Sequence, residues 1–167
     1  MGKESTMKRQ TLFVIGFTLV ALMASCLYAV DFSGSWALDE SKIVQSDTPE
    51  MSPQKLDVKQ KDDSMTIDSF FSNPMMGDFT VNETMTLDGK LNESETEFGT
   101  RKTTATWSDD KKQLTIDSTL LMNWDGNDVE MKTNQVWSLK EGVLQVDYVR
   151  NSPMGEITGT VFYNQSK

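Results

Sequence analysis

The stretch Trp107-Ser-Asp-Asp-Lys-Lys-Gln-Leu-Thr-Ile-Asp117 decides the fold: a strand end, a short charged turn, then a strand with apolar residues at every second position. Segments 58–68 and 137–147 repeat this arrangement. Alternation with a period of two, broken roughly every 8–12 residues by Asp, Gly, Asn or Lys clusters, is typical of an antiparallel sandwich or barrel.

The same pattern, followed along the chain, predicts ten strands joined mostly by short turns. Such a chain suits an all-β, up-and-down antiparallel barrel, which closes on itself and leaves no free sheet edge. The predicted strands are 32–38, 55–60, 64–71, 79–87, 91–98, 101–107, 113–123, 128–139, 143–150 and 156–164.

Residues 1–29 have the pattern of a secretory signal peptide, followed by one domain at 30–167. Lys8 and Arg9 precede a largely apolar run at 12–23, which is short for a membrane span, and small residues follow it. Cleavage after Ala29 is favoured and predicts a periplasmic or secreted protein. Segment 22–26 also resembles a bacterial lipobox, and the alternative is an outer-membrane lipoprotein with a lipid anchor on Cys26.

The composition argues against several kinds of partner and chemistry. The chain has a net charge of −9 and no histidine. An acidic surface disfavours nucleic acid and anionic membranes as partners. Without histidine there is no histidine base, no Ser–His nucleophile and no His-ligated zinc. We therefore expect a protein that is not an enzyme and has no cofactor and no metal. We also expect it to be a monomer.

Successive turns of an up-and-down barrel lie at opposite ends, so the predicted barrel has two ends with different turns. The short charged turns collect at one end: 61–63, 88–90, 109–112 and 140–142. The other end collects the loops 39–54, 73–77, 99–100, 125–127 and 151–155. We expect the charged end to be closed and the second, methionine-rich end to be the mouth. The alternative is that its Met and Phe side chains seal the loops as core.

Strand parity predicts an inner face that is not purely apolar. On the seventh predicted strand this face comprises Leu114, Ile116, Ser118, Leu120 and Met122. The same rule turns further polar side chains inward: Glu83, Thr133, Gln135 and Tyr148. Each would cost about 1–3 kcal/mol in a packed core unless it were hydrogen-bonded. A lumen that holds water or an amphipathic ligand would tolerate them.

A family resemblance adds to this prediction. Phe32-Ser-Gly34-Ser-Trp36 at the start of the meander, followed by a long first loop, resembles the lipocalin and fatty-acid-binding-protein group, the calycins. With the export signal, the chain resembles secreted bacterial lipocalin-like domains. The resemblance implies a ligand inside the barrel, a first loop that covers the mouth, and a closed end plugged by tryptophan. Unlike many lipocalins, the predicted domain has no disulfide.

The four tryptophans fall into two groups in this topology. Trp36, Trp107 and Trp137 lie near the charged end, where we expect them to form the structural plug. Trp124 lies at the mouth and is a candidate ligand contact.

The arginines suggest how an anionic head group would be held. Beyond residue 29 there are only two, Arg101 and Arg150, and Tyr148 shares a face with Arg150. Arginine binds a carboxylate through two parallel hydrogen bonds. The alternative is that both arginines pair with carboxylates such as Glu83 or Glu156. The full set of predicted ligand-binding residues is Arg150, Tyr148, Arg101, Trp124, Met75, Met76 and Met154.

Copper binding by the mouth methionines is disfavoured, because no Met-x-x-Met run is present and flexible Met suits any apolar opening. The predicted function is therefore binding of a small apolar or amphipathic, lipid-like ligand in the barrel of an exported protein. The alternative is a cell-surface structural or interaction module with a filled barrel. A lumen above about 300 Å³ would favour ligand binding.

Overall fold

A computed structural model of the protein describes residues 28–45, 52–73, 77–124 and 126–166. One 3₁₀ helix, Glu40–Lys42, occurs in this part of the chain. The strands are β1 (Gly34–Leu38), β2 (Val44–Gln45), β3 (Lys55–Lys61), β4 (Ser64–Asn73), β5 (Gly77–Thr86), β6 (Asn92–Thr96), β7 (Gly99–Trp107), β8 (Gln113–Trp124), β9 (Asn127–Lys140), β10 (Val143–Ser152) and β11 (Gly155–Gln165). Within the described residues, no helix is long and apolar enough to span a lipid bilayer.

Ten of these strands form one antiparallel sheet that curls into a nearly closed barrel. Their order is β5-β4-β3-β1-β11-β10-β9-β8-β7-β6, and the short β2 pairs with β11. Each of the ten strands predicted from the sequence has a counterpart, so the predicted fold class is confirmed. The two-residue β2 was not predicted, because two residues are too few to show a period.

A seam separates β5 from the β6–β7 hairpin, and side chains bridge it. Glu83 of β5 accepts hydrogen bonds from the Thr103 hydroxyl at 2.6 Å and from Arg101 Nη1 at 3.1 Å. Towards the closed end, the Thr86 amide donates to Asn92 Oδ1 at 3.1 Å. The barrel is therefore closed along this line by side chains, whereas backbone ladders join the other neighbouring strands.

The core occupies the closed half of the barrel, and strand parity placed it correctly. Leu114 is fully buried and Ile116 is 4 % exposed, as expected for the inner face of β8. The predicted tryptophan plug is also observed, since Trp36 and Trp137 are each 2 % exposed and Trp107 packs against the same core.

The segment before β1 completes the plug. Sequence periodicity started the first strand at Phe32, but β1 begins at Gly34 and Phe32 is a fully buried plug residue. Its ring stacks on Trp107 and meets Trp137 edge-on, with both centroid distances 5.8 Å. The amide of Val30 donates to the carbonyl oxygen of Lys111, in the β7–β8 turn, at 3.0 Å. The segment therefore crosses the closed end from β1 to the opposite side of the barrel.

Candidate functional site

A cavity of about 300 Å³ lies inside the barrel. Its wall comes from β3–β5 and β7–β11, with Phe98 of the β6–β7 turn and Ser52 and Pro53 at the end of the first loop. The floor includes Trp137, whose indole Nε1 donates to Gln135 Oε1 at 2.8 Å. The cavity therefore lies between the tryptophan plug and the loops of the mouth.

The first loop is attached to the barrel at two places. Val44 and Gln45 pair with Thr160 and Gly159 of β11. At the start of the loop, the Asp39 carboxylate accepts hydrogen bonds from Ser41, Lys42 and Asn164, which hold its pKa well below the usual range. Since Pro53 lines the cavity, the end of this loop lies at the cavity wall. Residues 46–51, the middle of the loop, lie outside the described residues.

All five polar residues that parity assigned to the inner face line the cavity: Glu83, Ser118, Thr133, Gln135 and Tyr148. Parity works because successive side chains of a strand point to opposite faces of the sheet. A single bulge would have reversed the assignment, and the continuous registers of β8 with β7 and β9 show none there.

Arg101 lies in the cavity wall, where it is paired with Glu83. The side chains of Arg101 and Glu83 are 18 % and 17 % exposed, and Nη1 and Oε2 are 3.1 Å apart. The guanidinium Nε is buried and has no hydrogen-bond partner among the described residues. Of the two alternatives for Arg101, the contacts match pairing with a carboxylate, so the pair places one positive and one negative charge together at the seam.

Tyr148 and Arg150 lie on successive inward positions of β10, and both line the cavity. Tyr148 is opposite Gln135, and Arg150 is opposite Thr133, in the ladder with β9. Tyr148 is 6 % exposed, and its phenol lies over Gly159 of β11, where a β-carbon would overlap the ring. Gly159 therefore leaves the space that the ring occupies.

The remaining predicted site residues are placed differently. Met154 lies in the β10–β11 turn, is 97 % exposed and is not part of the cavity wall. Trp124 is the last residue of β8, opposite Asn127 at the mouth end. Met75 and Met76, like Met51, lie outside the described residues.

Aromatic residues near the mouth were missed as candidate ligand contacts. Phe79 stacks on Phe71, with centroids 4.9 Å apart, and meets Phe98 edge-on across the seam at 5.9 Å. All three line the cavity. The inward parity of Phe79 was readable from the sequence, but its neighbour Phe98 lies in a turn, where parity has no meaning.

Comparison with solved structures supports the architecture. The barrel is similar to the crystal structure of a zebrafish ileal bile acid-binding protein complexed with cholic acid, with a TM-score of 0.52 and 15 % sequence identity. The match covers 81 % of this chain and 98 % of that one. The chain has a calycin-like barrel fold. No protein-family model matches the chain, and no curated protein sequence matches it significantly.

Proposed function

We propose that this protein binds a small amphipathic molecule with an anionic group inside the barrel and catalyses no reaction on it. The cavity between the plug and the mouth carries this proposal. Its volume of about 300 Å³ is at the lower end of the range for small-molecule sites. A mostly apolar wall with a few convergent polar groups is the usual composition of such sites.

The charge of the cavity wall favours an anion. Among the described residues that line it, the charged ones are Glu83, Arg101 and Arg150, so their formal charges give +1. The whole chain, in contrast, carries −9. An anionic group therefore meets two arginine side chains in the wall of a strongly acidic protein. A guanidinium such as that of Arg150 can bind a carboxylate through two parallel hydrogen bonds.

The zebrafish structure gives independent support, since that protein holds cholic acid, an amphipathic carboxylic acid. A barrel of similar fold can thus accommodate a ligand of the proposed class. Native mass spectrometry of the purified protein is the first test. We expect a co-purified small anion that is lost on denaturation, whereas a filled interaction module would show the mass of the chain alone.

Replacing Arg150 with alanine should weaken the binding of dodecanoate by about 10- to 100-fold, because a hydrogen-bonded charged group is lost. Dodecanol has the same tail without the charge, and its affinity should change little. Both affinities can be measured by isothermal titration calorimetry.

The matched control is Lys132→Ala, which also removes one positive charge. Lys132 lies on the outer face of β9, where it pairs with Glu130 at 3.3 Å, and its side chain is 61 % exposed. It should leave both affinities unchanged. An equal loss for the acid and the alcohol, or for the two variants, would contradict the assignment of Arg150.

We also propose that the protein is exported, on the basis of the signal-like pattern of residues 1–29. Residues 1–27, including Cys26, lie outside the described part of the chain. N-terminal sequencing of the protein from a periplasmic or extracellular fraction should give Val30 as the first residue. A blocked N-terminus, with a lipid-sized mass on a fragment that begins at Cys26, would favour the anchored alternative.

A further inference from the structure

A row of polar side chains crosses the inner wall of β7–β10. The ladders place Thr103 opposite Ser118, Ser118 opposite Thr133, and Thr133 opposite Arg150. The row continues over the seam, because the Thr103 hydroxyl, which is buried, donates to Glu83 at 2.6 Å. Four neighbouring strands and β5 therefore contribute one polar group each to a continuous row across the sheet.

Two of these hydroxyls are available to a ligand. Ser118 and Thr133 line the cavity, and within the described residues neither side chain forms a hydrogen bond with another group. One row nearer the plug, Gln135 uses its Oε1 atom for Trp137, and its amide nitrogen has no partner among the described residues. The hydroxyls and the amide nitrogen thus offer several separate hydrogen-bonding positions along the wall.

Apolar side chains surround this polar patch. One row nearer the mouth, Leu120 is opposite Met131. With ten strands around the barrel, β8–β10 lie across the lumen from β3–β5. The lining residues of that opposite wall include Ile67, Phe71 and Val81, with Ser69 as the polar exception apart from Glu83 at the seam. The β8–β10 wall therefore carries a polar patch among apolar side chains, whereas the opposite wall is mostly apolar.

We infer that the preferred ligand is facially amphipathic: a rigid apolar skeleton with hydroxyl groups along one face, in addition to the anionic group. This inference rests on the proposed function and defines its ligand class. A linear fatty acid could bind Arg150 through its carboxylate but would place methylene groups against Ser118 and Thr133. A buried hydroxyl without a partner costs about 1–3 kcal/mol, whereas ligand hydroxyls on that face supply partners for both.

The test uses three probes that differ in these features: cholic acid with three ring hydroxyls, 5β-cholanic acid with the same skeleton and none, and dodecanoic acid with a linear tail. The variant Ser118→Ala/Thr133→Val removes both hydroxyls and nearly conserves volume. We expect it to weaken the binding of cholic acid by about tenfold, at one modest hydrogen bond per hydroxyl. Its affinities for cholanic and dodecanoic acid should rise, because the hydroxyls that these two ligands would leave without a partner have been removed.

Thr119→Val is the matched control, since Thr119 is adjacent to Ser118 but points to the outer face of β8. It should change none of the three affinities, and thermal unfolding of both variants should match the original protein. A loss in the double variant that is equal for all three acids, or absent for cholic acid, overturns the inference while the proposed function stands. Failure of all three acids to bind the original protein overturns both.

Discussion

Replacing Gly99 with alanine should lower the free energy of unfolding by about 3 kcal/mol or more. Gly99 begins β7 with φ of +134°, a conformation that residues with side chains rarely adopt, and the strain alone costs about 1–3 kcal/mol. A β-carbon would also overlap the carbonyl oxygen of Leu121 and lie 3.0 Å from the Met122 Cα atom. Both atoms belong to the backbone of β8, which the ladders on its two sides hold in place.

The variant Gly155→Ala separates the cost of backbone strain from the cost of steric overlap with β8. Gly155 has a similar φ of +124°, but a β-carbon added there would meet no atom within 4 Å. This variant should lower the free energy of unfolding only by the cost of the strained backbone conformation, about 1–2 kcal/mol. Urea denaturation followed by circular dichroism measures both. If Gly99→Ala loses no more stability than Gly155→Ala, the prediction that a β-carbon at Gly99 collides with β8 is wrong.

Replacing Phe32 with alanine should lower the free energy of unfolding by about 3–5 kcal/mol, the usual cost of removing a fully buried phenylalanine ring. The ring fills the space between Trp107 and Trp137 at the closed end. Phe32 is fully buried, so its removal leaves a cavity inside the plug. The carbonyl oxygen of the same residue accepts a hydrogen bond from Trp36 Nε1 at 2.9 Å, so its position is linked to the third plug tryptophan.

Phe70→Ala is the matched control for this variant. Phe70 lies on β4 beneath the ammonium of Lys55, which is 5.0 Å from its ring centroid, and it is only partly buried. It should cost clearly less, about 1–2 kcal/mol. Near-ultraviolet circular dichroism should also lose intensity for Phe32→Ala, because the plug tryptophans would be less rigidly packed. Equal stability losses for the two variants would exclude a plug role for Phe32.

The sequence predicted the strands and their inward faces well, and the residues of the cavity wall less completely. Tyr148 and Arg150 were grouped correctly in the cavity wall, because both lie on one strand and parity is a local property. Phe98 was missed, because its position follows from a turn that packs against Phe79 on another strand. Met154 was predicted to be a ligand contact because its turn falls at the methionine-rich end, but the structure leaves it exposed and outside the cavity wall.

The sequence by itself determined which residues form strands and which side chains face inward. Both depend on spacing along the chain: apolar residues at every second position, and turn residues between the runs. Only the tertiary structure decided that Glu83 pairs with Arg101 across a seam and that Phe32 leaves the first strand to plug the barrel. These contacts join segments far apart in the chain, so they depend on how the sheet curls and closes, which local periodicity does not encode.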